Sequence, residues 1–250
     1  MNKPTFIYTV LDSQASIVAT DTASGYAAEN VLSAAEDTAW KPANTTGEKT
    51  LEIDFGPSVF QDVGQIAIIG KQLDGVTLSI NELFGAVRDE ISAAAVISTT
   101  NNCTYRTFTQ ASRGNIELVF AGMSSSTEII YVAICPTVPL PYLEDGHDPD
   151  SYTTEGTHLI GTAGTYLGST QQRSMLTLSL SFGQVTAAQY AYFAAWAEAC
   201  IKTMRPFFYV PDTDQPECLF GWVDAKYKFS APYKNGLRKI AAIPFNARKL

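Results

Sequence analysis

Residues 175–182 read Met-Leu-Thr-Leu-Ser-Leu-Ser-Phe, with Leu176, Leu178, Leu180 and Phe182 on one parity and Thr177, Ser179 and Ser181 on the other. Only an extended strand carries alternate residues to one face, so this stretch must lay one face on a core and turn the other to water. The same period of two recurs where Leu51, Ile53 and Phe55 alternate with Glu52 and Asp54, and again at Val76, Leu78 and Ile80. These segments predict half-buried antiparallel strands. Gln65–Gly70, with Ile66, Ile68 and Ile69, is instead a continuous apolar run and predicts a strand covered on both faces. Further strands are predicted at residues 4–11, 115–121 and 128–134. Turn signals fall between them at Gly56-Pro57, Asp74-Gly75, Asn101-Asn102, Arg113-Gly114-Asn115 and Met123-Ser124-Ser125-Ser126. Short strands punctuated in this way imply a sandwich or jelly roll and not a parallel α/β sheet.

At Pro136 the composition changes. Pro136, Pro139 and Pro141 are followed by Glu144-Asp145-Gly146-His147-Asp148-Pro149-Asp150 and then by a Gly/Thr/Ser-rich stretch, which predicts a linker or long flexible arm over residues 141–172. Beyond the alternating strand stands the one strong helix signal. Thr186 and Gln189 are in capping-box register, Phe193, Trp196, Ala197, Cys200, Ile201 and Met204 recur at helical spacing, and Pro206 stops the helix. Phe207–Val210, Cys218–Val223 and Leu237–Phe245 supply three more strands. The expectation is a mainly β chain in two units: a jelly-roll β-sandwich over residues 1–140, and a sandwich or barrel with one packed helix over residues 173–250.

Composition removes several functions. Seventeen Lys and Arg against twenty-five Asp and Glu give a net charge of −8 with no basic run, so a groove-reading nucleic-acid protein is not expected. No window reaches the apolar length of a membrane span, and the opening Met-Asn-Lys-Pro-Thr-Phe-Ile turns polar by Asp12. A soluble protein made in the cytoplasm, without membrane insertion, is the expectation. Cys103, Cys135, Cys200 and Cys218 are far apart and show no zinc spacing, which predicts buried free thiols.

Catalytic groups are sparse. There are two histidines, His147 and His158, and no serine stands in a Gly-x-Ser-x-Gly elbow. Glu52 and Asp54 share a strand face about 7 Å apart, but their alternation with buried residues makes them a solvated face and not a glycosidase pair. Gly161-Thr-Ala-Gly164 lacks the lysine of a phosphate loop. Asp145, His147, Asp148 and Asp150 are the weak metal candidates, although their spacing does not match a calcium loop. No cofactor is expected. Trp40, Tyr26, Trp222 and Phe207–Tyr209 are the aromatics that could stack on a sugar, and Trp40, set in a polar loop, is the carbohydrate-binding candidate.

Two stretches resemble known families. Residues 27–55, with Asn30-Val31-Leu32, Trp40 and Leu51-Glu-Ile-Asp-Phe-Gly56, resemble the opening of a galactose-binding-like, discoidin-type jelly roll. That resemblance implies a fold covering residues 1–140, with Asn30–Leu32 and Trp40 chiefly structural and ligand contacts on variable loops. Residues 173–211 are similar to the ring-forming distal tail and baseplate-hub proteins of long-tailed bacteriophages, through Arg173, the alternating Leu strand, Thr186-Ala-Ala-Gln189, the aromatic helix and Arg205-Pro-Phe-Phe-Tyr-Val-Pro-Asp212. The family order is ring unit first, whereas here the jelly roll comes first. This second resemblance implies a non-enzymatic virion protein of the tail tip, assembled in the host cytoplasm. It implies a homo-oligomeric ring, hexameric in that family, joined to other tail proteins by a tail-tube-like unit at residues 173–250. An acidic subunit suits a lumen through which DNA must slide. The alternative expectation is a carbohydrate-binding module for host-surface glycan acting through the loops around Trp40.

Overall fold

The structure is a computed structural model that describes residues 4–10, 15–33, 35, 37–85, 87–100, 102–137, 140–141, 152–160, 166–234 and 237–248. In chain order the first nine strands are β1 (Thr5–Ile7), β2 (Ser16–Ala19), β3 (Lys49–Asp54), β4 (Gln61–Lys71), β5 (Thr77–Phe84), β6 (Val87–Val96), β7 (Cys103–Arg113), β8 (Asn115–Ala121) and β9 (Glu128–Cys135). They are followed by β10 (Tyr152–Ile160), β11 (Tyr166–Val185), helix α1 (Ala187–Trp196), β12 (Phe207–Val210), β13 (Leu219–Val223), β14 (Tyr233–Lys234) and β15 (Leu237–Arg248). Among the described residues the chain is mainly β: three antiparallel sheets, a short 3-10 turn at Ala28–Leu32 and one helix of 15 residues, α1 running on as a wider turn through Ala197–Ile201.

The first two sheets form the sandwich. One has five strands in the order β2-β3-β8-β5-β6, the other three in the order β7-β4-β9. Their facing sides interlock through an aliphatic core that includes Leu51, Ile53, Ile66, Ile68, Leu78, Ile80, Leu118, Val132 and Ile134. The alternating segments supply the five-stranded sheet, which needs one apolar face only. β4 is buried from Val63 to Gly70, as its unbroken apolar run requires, because a further layer lies on its other side.

That layer is the third sheet, ordered β1-β12-β13-β15-β11-β10, with β14 on β15. Alternate residues of the three-stranded sheet, Ala67, Ile69, Tyr131, Ala133 and Cys135, turn away from the sandwich and pack on it. Tyr131 stacks on Phe208 at 6.0 Å and 10°. Phe207 and Tyr209 point the opposite way, where Phe207 meets Trp196 of the helix at 5.1 Å. The layers therefore run five-stranded sheet, three-stranded sheet, third sheet, helix.

The N-terminal strand was expected at residues 4–11, in the jelly roll. It is β1, three residues long, and it pairs with β12 in the third sheet (Thr5 with Val210, Ile7 with Phe208). Phe6 explains the placement, because its fully buried ring lies against Phe182, Phe193, Trp196, Phe207 and Tyr209 at 4.7–6.0 Å. Gln65 completes the weld. Its amide donates to the Phe6 carbonyl at 2.9 Å and its Oε1 accepts from Thr5 Oγ1 at 3.2 Å.

The capping box stands as the sequence indicates: the Gln189 N–H donates to Thr186 Oγ1, and the Thr186 N–H to Gln189 Oε1. The flexible arm of residues 141–172 is corrected in part. Residues 152–160 pair with 166–176 as an antiparallel hairpin, while the metal candidates Asp145, His147, Asp148 and Asp150, and Gly161–Gly164, lie outside the described residues. Local sequence pattern predicts no strand at β2, β6 or β7.

Candidate functional site

Trp40 is a core residue. It is fully buried, its indole N–H donates to the Asp21 carbonyl at 3.2 Å, and its ring lies 6.1 Å from that of Phe120. No face of it is open to a sugar, a correction to its candidacy as a stacking ring. Asn30 Nδ2 donates to the Ala39 carbonyl at 2.9 Å and Val31 is fully buried, so the Asn-Val-Leu segment is the strut that seats Trp40. Phe207, Phe208 and Tyr209 are equally buried. Tyr26 is half-exposed beneath Lys41, whose Nζ sits 5.4 Å above the ring centre.

The strand carboxylates serve the sheet. Asp54 Oδ1 accepts the Gly56 N–H at 2.8 Å, closing a turn. Glu52 faces Glu117 across β3 and β8, and the Glu117 carboxylate takes Arg88 Nη2 at 2.6 Å and Asn81 Nδ2 at 2.9 Å. Such pairing offsets the cost of burying Glu117. At one end of the sandwich, Asp21 gathers the Ala43 N–H at 3.0 Å, Asn44 Nδ2 at 2.6 Å and the buried Lys49 Nζ at 2.8 Å, which fixes the exposed polar loop of residues 43–48. All four cysteines are free and buried. Burial drives the Cys135 thiol up to about 12, and it raises the others as well, so none is a nucleophile near neutrality. Among the described residues no group of three or more His, Cys, Asp or Glu is placed to hold a metal ion. No helix among the described residues is long and apolar enough to cross a membrane.

Two features remain. The first is the hairpin. Met175–Val185 of β11 pair with β15, but residues 166–174 pair with β10 alone. They make a two-stranded ribbon that extends past the body of the sheet, and β10 is the sheet's terminal strand.

The second is a crevice of about 350 Å³ between Val96 at the end of β6 with Ser98 beyond it, Thr104–Thr107 of β7, and the loop Thr213–Pro216. β7 is terminal in its sheet. Cys103 and Tyr105 pack toward the third sheet and Phe108 toward the sandwich core, so by alternation Thr104 and Arg106 face the sandwich side. A hollow that touches both parities must lie along the open edge of the strand. Tyr105 ties the far wall in place, its hydroxyl donating to the Gln215 carbonyl at 2.6 Å and the Thr213 carbonyl at 3.1 Å. Burial raises that hydroxyl to about 12, followed in effect by Cys218 and the carboxylates Asp212 and Asp214, so it keeps its proton and stays a donor. Arg106 Nη2 reaches the Ala95 and Val96 carbonyls at 3.3 and 3.4 Å, whereas its buried Nε meets no acceptor among the described residues. Local sequence pattern marks none of the crevice residues as a site. The readable signal was an Arg and a Tyr within the polar run Cys103–Arg113, which is the composition of an edge strand.

No family model matches the sequence, and no curated protein matches it. Solved structures do show similarity over about half of the chain. A variant of chitosan-binding module 1 from a Paenibacillus sp. IK-5 chitosanase/glucanase aligns at 10% identity with a TM-score of 0.45, covering 51% of this chain and 98% of the module. The family 32 carbohydrate-binding module of Clostridium perfringens NanJ, solved with galactose, aligns at 16% identity and 0.43, covering 52% and 98%. The module of AlyQ solved with 4,5-unsaturated mannuronic acid aligns at 20% and 0.41, covering 52% and 97%.

Proposed function

We propose that this chain is a non-enzymatic structural protein of a bacteriophage tail tip, a distal-tail or baseplate ring component. The third sheet with its helix is the tail-tube-like, ring-forming unit, and the sandwich is carried on the outside as a decoration or a dock for other tail proteins. The observation that carries this reading is the ribbon of β10 and residues 166–174. A lone two-stranded ribbon is marginal in water, so extending one past the sheet is favourable only where a neighbouring surface completes it. The welded layers agree with this role. A sandwich fixed through Phe6 and Gln65 is a rigid building block and not a module swinging on a linker. The test is the solution mass of the full chain by light scattering, with negative-stain images of the same peak. A closed ring of several copies is expected, and a single-chain mass without rings at every concentration overturns self-assembly.

A second reading keeps the sandwich as a binding module for host-surface glycan. The polar loop 43–48, immobilised by Asp21 and Lys49 at one end of the sandwich, is the observation that favours it. A glycan array with wild-type and Asn44→Ala protein tests this reading. Loss of a wild-type signal in the variant supports it, and no signal from the wild type removes it.

A further inference from the structure

We infer that the open edge of β7, at Thr104–Thr107, is the acceptor for the β10 ribbon of a second copy of this chain, which docks by adding a strand. The inference rests on the assembly reading above and names the surface that the arm would meet.

Three observations converge on this edge. β7 and β10 are both terminal strands, so along Thr104–Thr107 and along β10 one row of backbone N–H and C=O groups has no strand partner among the described residues, whereas Cys103 at the start of β7 is bridged to Thr100. Such rows are templates for pairing and are normally blunted by a charge, a proline or a covering segment. At Thr104–Thr107 the edge is left open as the floor of a crevice, while Val96 and Ser98 on one side and Thr213–Pro216 on the other act as walls. Such a slot is the shape of an extended chain and not of a flat contact. Four strand residues span about 13 Å, and the nine residues of β10 exceed that length about twofold, so the ribbon is long enough to fill the slot.

The lining suits a backbone ligand. Its formal charges balance, one on Arg106 and one on Asp214, and most of the rest are hydroxyls and an amide. A free anion would meet Asp214, and an apolar side chain would find little to bury. A polypeptide edge brings alternating donors and acceptors to match the backbone row along Thr104–Thr107. Tyr105 holds the far wall through two carbonyls, so the slot is pre-shaped before the partner arrives. Because β7 and β10 are different surfaces, the contact is head-to-tail. Repeating it closes a ring where the rotation between copies permits.

The experiment uses the full chain with Ser98→Lys and Thr107→Lys together. Both positions are exposed, so the variant should keep the wild-type melting temperature while placing two ammonium groups in the slot. Mass is read by light scattering over a dilution series, and hydrogen exchange is read in parallel. The expected result is a wild-type mass that rises with concentration, with slower exchange in both 103–113 and 152–160, and loss of both effects in the variant. A variant that assembles like the wild type overturns β7 as acceptor and leaves the ring reading standing. Protection gained in 152–160 but not in 103–113 does the same. A wild type that keeps the single-chain mass throughout overturns both.

Discussion

Two cores meet on opposite sides of the three-stranded sheet, and they are built from different materials. The sandwich core is aliphatic, with Trp40, Phe55 and Phe120 the large rings among isoleucines, leucines and valines, and its buried side chains include no tyrosine or cysteine among the described residues. The core on the other side is aromatic and thiol-rich, with Phe6, Phe182, Phe193, Trp196, Phe207, Phe208 and Phe245 beside Tyr8, Tyr131, Tyr209 and all four cysteines. The first core is filled by residues 15–134 alone. The second draws the rings of Phe6 and Tyr8 from the opposite end of the chain. A sandwich closed within one stretch of sequence can be carried as an accessory. A sheet that needs its first strand from the N-terminus obliges the two units to be made and folded together.

Alkaline pH should separate the two cores most strongly. Burial holds the Cys135 thiol up from 9.0 to about 12 and the Tyr131 hydroxyl up from 10.0 to about 12, so the fold favours their protonated forms. The unfolded chain loses those protons at lower pH. The stabilisation is therefore complete below about pH 9 and disappears as the pH rises toward 12. Near-ultraviolet circular dichroism from the aromatic core should collapse in that window while sandwich amides stay protected from exchange. Simultaneous loss of both would show that the cores are one cooperative unit.

Phe6→Ala should cost about 3–5 kcal/mol in chemical denaturation, the range for removing a fully buried aromatic ring. The exchange pattern should show the third sheet opening before the sandwich. An equal loss of protection in both would contradict the division. Gln65→Leu has a smaller expected effect, about 1–3 kcal/mol, because it leaves the Phe6 carbonyl with only the weak Cys135 thiol donor at 3.8 Å. Its signature is fraying of β1, read as faster exchange at Thr5–Ile7. Thr186→Ala should cost about 1 kcal/mol through loss of the capping box, confined to the helix and leaving the sandwich unchanged.

Much of the architecture was readable because burial on one face leaves a period in the sequence. The strands near residues 49–55, 115–121, 128–134 and 207–210, the two-sided burial of β4, the helix cap and the inert thiols all follow from local pattern. β6 escaped because it is exposed along most of its length, which removes the alternation that would reveal it. β7 escaped because its polar residues line an edge. The hairpin has the composition of a linker because Gly, Thr and Ser favour loops, although main-chain pairing needs no apolar side chains. Trp40 stands in a polar loop by sequence and in a core by structure, since the loop folds back so that its backbone bridges to Ile129.

By itself, the sequence determined a β-rich chain, the buried thiols and one capped helix, because each of these rests on neighbours within a few residues. Tertiary structure alone decided that β1 belongs to the far sheet, that the three-stranded sheet is shared by two cores, and that the edges of β7 and β10 are left open. Those outcomes depend on pairings between residues tens to hundreds of positions apart, and the energy of such a contact is not written in the local order of either partner.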